Sequence, residues 1–260
     1  MFKNIIVRTP SKSVCDGITS APELGQPIYE KALEQHKVYI ETLKECGCEV
    51  EVLPPLEEFP DSCFVEDVAV LTPNVAIITR PGADTRRNET KYVIDTINKY
   101  YPKERIRQIT TPGTLEGGDV MMVGNHFYMG ESERTNKEGC RQLIRILEEF
   151  GHTGSIVPLK EVLHLKTGIN YIENNNFLVS WEFVNHPLFK DKNTYEIPEG
   201  EEYAANSLWV NDVVIVPKDF PKTKELIESL GYEVKIVDTS EFRKIDGGLS
   251  CLSLRFTRLK

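Results

Sequence analysis

Several features are scarce in this 260-residue chain. Positive charge is outnumbered: 31 Lys and Arg face 40 Asp and Glu, a formal net charge of -9. That balance repels a phosphate backbone and leaves no basic stripe for nucleic acid. No apolar run approaches the length of a membrane span. Paired metal ligands are missing too. The six cysteines stand at 15, 46, 48, 63, 140 and 251 without a CxxC, and the five histidines at 36, 126, 152, 164 and 186 each stand singly, so no zinc-site spacing is present. Met1-Phe2-Lys3-Asn4 passes straight into a strand-like Ile5-Ile6-Val7, without the apolar stretch and small-residue cleavage site of a secretory signal. These absences predict free thiols in a reducing cytoplasm, no nucleic-acid or membrane partner, and a small ligand for which the acidic balance favours a cation. The length suits one domain over residues 1–260.

What the chain does have is a repeat. Four hairpin-like segments surround turn signals: 65–79 around Pro73-Asn74, 119–129 around Gly124-Asn125, 168–181 around Asn174-Asn175-Asn176, and 206–217 around Asn211-Asp212. Asn and Gly tolerate the left-handed backbone of tight hairpins, and the spacing belongs to blade-like repeats. A fifth unit forms if the terminal strand Cys251–Phe256 pairs with the opening strand Lys3–Arg8, which closes the ring and leaves no open edge. Helical patterns lie between the hairpins: roughly 28–46, 87–101, Cys140 to Phe150, and 221–230, the last bounded by Pro221 and Gly231. Residues 185–205 carry no comparable helix. Each unit reads strand, strand, helix, strand around a central channel, where loops from different blades meet. Residues 11–27, rich in Ser, Gly and Pro, form a long connection suited to a lid or to a plain surface loop.

Chemistry concentrates where blades begin. In Asp246-Gly247-Gly248-Leu249-Ser250-Cys251 a cysteine follows a diglycine inside a short apolar run, a placement that suits a thiolate nucleophile with an acid–base partner. His164, in Val162-Leu163-His164-Leu165-Lys166, reads as a strand residue. A histidine among apolar neighbours is commonly a core residue, but an imidazole titrating near neutrality can also protonate a leaving amine and then activate water. Glu116 and Asp119 flank a second diglycine, and Asp61, Glu66 and Asp67 precede an apolar segment. Acids at two blade starts make a pocket for a planar cation, because carboxylate and guanidinium share a bidentate geometry. Arg86 and Arg134 occupy matching places in successive repeats and could clamp a carboxylate, although arginines ahead of a helix are usually solvated. Cys15, Cys46, Cys48, Cys63 and Cys140 read as structural.

Phe64-Val65-Glu66-Asp67, Leu115-Glu116-Gly117-Gly118-Asp119, Leu163-His164-Leu165-Lys166 and Asp246-Gly247-Gly248-Leu249-Ser250-Cys251 resemble the motifs of the dimethylarginine dimethylaminohydrolases, as do Arg80-Pro81-Gly82 and Glu133-Arg134-Thr135-Asn136. The resemblance covers essentially the whole chain. It implies the five-bladed α/β-propeller, or pentein, fold, and hydrolysis of Nω-methylated arginines to citrulline and methylamines without a required cofactor or metal. Carried over residue by residue, Cys251 would be the nucleophile, His164 the general acid and base, and Glu116 the carboxylate that orients the guanidinium. Asp61, Glu66 and Asp67 would line the guanidinium end. Arg86 and Arg134 would hold the α-carboxylate, and Ile18 and the backbone of Ile245 would meet the amino-acid end. Ile18 stands where relatives often have leucine.

Three other readings compete. Arginine deiminases share the fold but usually carry a helical insertion for which 260 residues leave no room. A noncatalytic binding propeller is disfavoured by the intact Cys251, His164 and Glu116 set, and a metallohydrolase with His164 and Cys251 as ligands by the ease with which such sets take up adventitious zinc. A homodimer is left open.

Overall fold

In the computed structural model, which describes residues 1–257, the five units are five separate three-stranded sheets. Each central strand pairs antiparallel with the strand before it and parallel with the strand after it. The first two strands therefore need only a tight turn, while the third needs a crossover, usually helical. Four blades run in sequence: Ala69–Leu71, Ala76–Ile78, Ile106–Gln108; Val120–Val123, His126–Glu131, Thr153–Pro158; Ile169–Tyr171, Asn176–Val179, Asn193–Glu196; and Leu208–Val210, Val213–Pro217, Glu233–Val237. The fifth joins the chain ends, with Leu254–Phe256 pairing antiparallel to Asn4–Ile6 and Asn4–Arg8 running parallel to Glu49–Leu53.

Local chemistry accounts for the crossovers. Tyr29–Glu45 buries Ala32, His36, Tyr39, Ile40 and Leu43 on one face. Lys137–Glu149 starts where the Asn136 side chain accepts from Gly139 N, 2.8 Å away, an N-cap, and stops at Gly151, whose φ of 82° continues no helix. Pro221 opens Pro221–Ser229. The pattern at 87–101 divides into a 3-10 turn, Glu89–Tyr92, and a short helix, Ile94–Tyr100. Residues 185–205 hold only the 3-10 turns Pro187–Phe189 and Glu202–Asn206 around one strand. Residues 11–27 also contain two 3-10 turns, Lys12–Asp16 and Pro22–Leu24.

Two expectations are corrected. Only Leu254–Phe256 of the terminal segment is strand; Cys251 lies in a 3-10 turn, Ser250–Leu252, closed by Cys251 N donating to Gly248 O at 3.2 Å. His164 is likewise on no strand. It is the extended residue ahead of a one-turn helix, Leu165–Gly168, because Asp119 Oδ1 takes the Leu165 N–H at 2.9 Å and starts the turn there. The turn chemistry also differs in part: backbone φ is positive at Gly124, Asn174, Asn175, Asn211 and Asp212, whereas at the first hairpin Thr72 Oγ1 accepts from Asn74 N and Val75 N. Among the described residues no helix is long and apolar enough to cross a membrane.

Candidate active site

All five blades begin alike. A single helical turn precedes each first strand: Val65–Val68, Gly117–Asp119, Leu165–Gly168, Glu202–Asn206 and Ser250–Leu252. Pseudo-fivefold repetition thus brings Asp67, Glu116, His164 and Cys251 together at the ring centre although 184 residues separate the first from the last.

A small cavity of about 30 Å³ is lined by Ile18, Asp61, Asp67, Arg86, Glu116, Arg134, His164, Ile245 and Cys251, which is every candidate but Glu66. A larger cavity of about 420 Å³ adjoins it, and Leu163, His164, Asp246 and Cys251 line both. The half-buried Cys251 and the buried His164 therefore stand at the boundary between the two. The 11–27 loop is pinned over the smaller cavity: Ile18 N donates to Asp61 Oδ1 at 2.9 Å, and Ser20 donates twice to Asp246, from N at 2.6 Å and from Oγ at 2.9 Å.

Glu116, fully buried, is held from three sides. Its Oε2 lies 2.8 Å from His164 Nε2, its Oε1 accepts from Ala83 N at 3.0 Å, and Arg134 Nη1 is 3.7 Å from Oε1. The diglycine that follows is required by close approach. A Cβ on Gly118 would fall 2.8 Å from His164 Nδ1, and one on Gly117 would fall 1.9 Å from the Glu66 carbonyl oxygen. The Gly118 N–H in turn donates to Asp67 Oδ1 at 2.8 Å.

Charge in this setting sets the protonation states. Burial alone would pull the His164 pKa down, but Asp119, the hydrogen bond to Glu116 and Asp67 together outweigh it and raise it to about 9, so the imidazole carries a proton at neutral pH. Burial works against ionising Glu116 and Asp67, yet both are held below the usual carboxylate range, Glu116 chiefly by its hydrogen bond to His164 and Asp67 chiefly by Arg86. Burial, reinforced by Glu66 and Asp67, pushes the Cys251 thiol up to about 12, with the Gly248 N–H and Lys166 opposing. The resting state thus has a neutral thiol and an imidazolium on the lining shared by the two cavities.

Two candidates are placed differently from the rest. The Arg86 guanidinium reaches the cavity wall but is already engaged, 2.5 Å from Asp67, 2.9 Å from Glu89, and donating to the carbonyls of Asp61 and Phe64. Arg134 is the freer of the two arginines. Glu66 turns its carboxylate away into the channel, where Lys166 Nζ lies at 2.5 Å, Arg255 Nη2 at 2.6 Å and Ser250 Oγ at 3.0 Å.

Lys166, Asp119 as the group that fixes His164, and Glu89 as the counter-ion of Arg86 are not evident as site residues from sequence alone. Lys166 and Asp119 lie inside quoted motifs, so proximity to His164 and Glu116 was the available signal. Asp67, Glu116 and His164 offer ligand atoms within 4.8 Å of one another. A metal there would have to displace the imidazolium proton and compete with the Arg86 guanidinium.

A model of the family described as "N,N dimethylarginine dimethylhydrolase, eukaryotic" matches residues 19–192. The curated N(G),N(G)-dimethylarginine dimethylaminohydrolase of Pseudomonas aeruginosa is 57% identical over 256 residues, 98% of this chain and 100% of that protein. A protein of the same name from Streptomyces coelicolor is 34% identical over 98% of its length and 99% of this chain. The solved structure of a cysteine-to-serine mutant of the Pseudomonas aeruginosa protein complexed with citrulline superposes with a TM-score of 0.97, covering 98% of this chain and all of that one. The N-terminal domain of a cyanobacterial arginine dihydrolase, ArgZ, bound to its product, shares the fold at 19% identity with a TM-score of 0.88, covering 99% of this chain and 98% of that one.

Proposed function

This chain belongs to the dimethylarginine dimethylaminohydrolase family and hydrolyses Nω-methylated arginines to L-citrulline; we propose that Cys251, His164 and Glu116 carry the reaction, through a covalent thiouronium intermediate. The observation that supports these assignments most is the cavity boundary where a half-buried sulfur and a carboxylate-paired imidazolium meet.

The thiol is too weak an acid to ionise unaided, and Asp67, one of the two acids that raise its pKa, lines the same cavity as Glu116 and would attract a guanidinium there. A methylated arginine placed between Cys251 and the Asp67 and Glu116 carboxylates adds the missing positive charge, so that the thiol proton is lost to solvent as substrate binds. The thiolate attacks the guanidinium carbon. The tetrahedral adduct then collapses with transfer of the His164 proton to the departing methylamine or dimethylamine. Neutral His164 next removes a proton from water. The hydroxide adds to the thiouronium carbon, the carbon–sulfur bond breaks as the adduct's hydroxyl proton is released, and citrulline leaves while the departing thiolate takes up that proton and restores the thiol.

At the amino-acid end, Arg134 with Arg86 would take the α-carboxylate, and Ile18 and Ile245 would frame the α-amino group beside Asp61. Glu66 would act from behind by fixing Ser250, the neighbour of Cys251. A cavity of about 30 Å³ is far smaller than a methylated arginine, and the 11–27 loop, held by the bonds from Ile18 to Asp61 and from Ser20 to Asp246, is the segment that would give way to admit one. No metal or organic cofactor enters the scheme.

Parallel assays of citrulline release test the substrate. Asymmetric dimethylarginine and monomethylarginine are expected to be turned over faster than arginine by about tenfold or more in kcat/KM. Equal or faster turnover of arginine would make the chain a deiminase.

A further inference from the structure

Four of the five blade starts contribute residues to the scheme above. The fifth, Glu202–Asn206, ends on a buried asparagine whose side chain is fully committed. Asn206 Nδ2 donates to the Lys166 carbonyl and to Ser250 Oγ, each at 3.1 Å, and Oδ1 accepts from Ser250 N at 2.9 Å. Flipping the amide would set its NH₂ against the Ser250 N–H and its oxygen against a carbonyl, so the network fixes its orientation.

The two segments it joins carry the two reacting groups. Lys166 lies in the one-turn helix that begins directly after His164, and Ser250 immediately precedes Cys251. Gly248 packs flat on the same amide, since a Cβ there would fall 2.7 Å from Asn206 Cγ. The Gly248 N–H is the group that donates to Cys251 Sγ, at 3.4 Å. A second strut runs in parallel: Glu66 takes Lys166 Nζ on one oxygen and the Ser250 hydroxyl on the other.

We propose that Asn206 is a positioning residue, clasping the His164 segment to the Cys251 turn from a third blade and so setting the imidazole-to-sulfur geometry on which attack and both proton transfers depend. The inference rests on Cys251 and His164 being the reacting pair. Substrate affinity should be largely spared, because the hydrogen bonds of the amide go to Lys166 and Ser250 and not to the residues assigned to the amino-acid end.

Asn206→Asp keeps the shape and the acceptor for Ser250 N but removes both donors. The expected result is a fall of about a hundredfold in kcat, the cost of an ångström-scale misplacement, with KM for asymmetric dimethylarginine within about threefold of the parent. A kcat within about threefold of the parent, or a KM that rises in step with a lowered melting temperature, overturns the proposal. Should Asn206→Asp fail to fold, Ser250→Ala removes one receiver of the clasp and must lower kcat without raising KM; an unchanged kcat there also overturns it. Cys251→Ser is the control: if that variant still turns over, the failure lies with the nucleophile and not with the clasp.

Discussion

Cys251→Ser is expected to lower citrulline formation by roughly four to six orders of magnitude, as when the attacking atom of a covalent enzyme is removed, and to leave the fold nearly unchanged. The sulfur fills a half-buried position and accepts one long hydrogen bond, 3.4 Å from Gly248 N. A hydroxyl accepts the same bond, so the stability change should stay within about 1 kcal/mol. Chemistry suffers far more, because an alkoxide is much harder to generate than a thiolate and the guanidinium is a poor electrophile. Citrulline assay together with a thermal melt checks both halves, and substantial residual turnover would remove Cys251 from the nucleophile's role.

Stability of the parent protein should fall on the alkaline side of neutrality, and His164 supplies the part of that fall that begins nearest neutral pH. Its folded pKa of about 9 lies above the ordinary 6.5. The protonated form therefore stabilises the fold fully below 6.5, and this contribution is lost as pH rises through about 9, amounting to something on the order of 3 kcal/mol. His36 behaves oppositely. Burial lowers its pKa to about 4, so its effect is a loss of stability as pH falls below 6.5. Denaturant unfolding of parent and His164→Gln across neutral to alkaline pH should give curves that converge as pH approaches 9 to 10. Parallel curves would mean that His164 is not held as an imidazolium. Turnover should decline over the same alkaline range, because the proton that stabilises the fold is the one given to the leaving amine.

Much of the fold was legible because hairpin turns and helix boundaries are local. Gly124, Asn175 and Asn211 mark turns by their own tolerance of positive φ, and Pro221 and Gly231 bound a helix through backbone geometry that each residue imposes. Closure of the ring was legible too, since an apolar strand at either end of the chain needs a partner. The precise setting of Cys251 and His164 was not, because alternating apolar neighbours resemble a strand whereas the turns are set by distant partners, Asp119 in the case of His164. Glu66, Asp67, Glu116, Arg134, His164 and Cys251 stand out in the sequence as members of short motifs, and nine of the ten candidates line one cavity. The direction of Glu66 was not legible: its choice of Lys166, Arg255 and Ser250 depends on side chains up to 189 residues away. Asn206 escaped for the same reason, as an isolated asparagine at the first position of the hairpin-like segment 206–217 with no neighbour in sequence to declare its partners.

The central claim is that turnover passes through a bond between Cys251 and the guanidinium carbon of a methylated arginine. Acid quenching of the reaction within one turnover, followed by digestion and peptide mass mapping, tests it directly. A substrate-derived mass on the peptide containing Cys251, rising and then decaying as citrulline accumulates, is the predicted result. Steady citrulline release with that peptide unmodified throughout, or with the added mass on another cysteine, would contradict it.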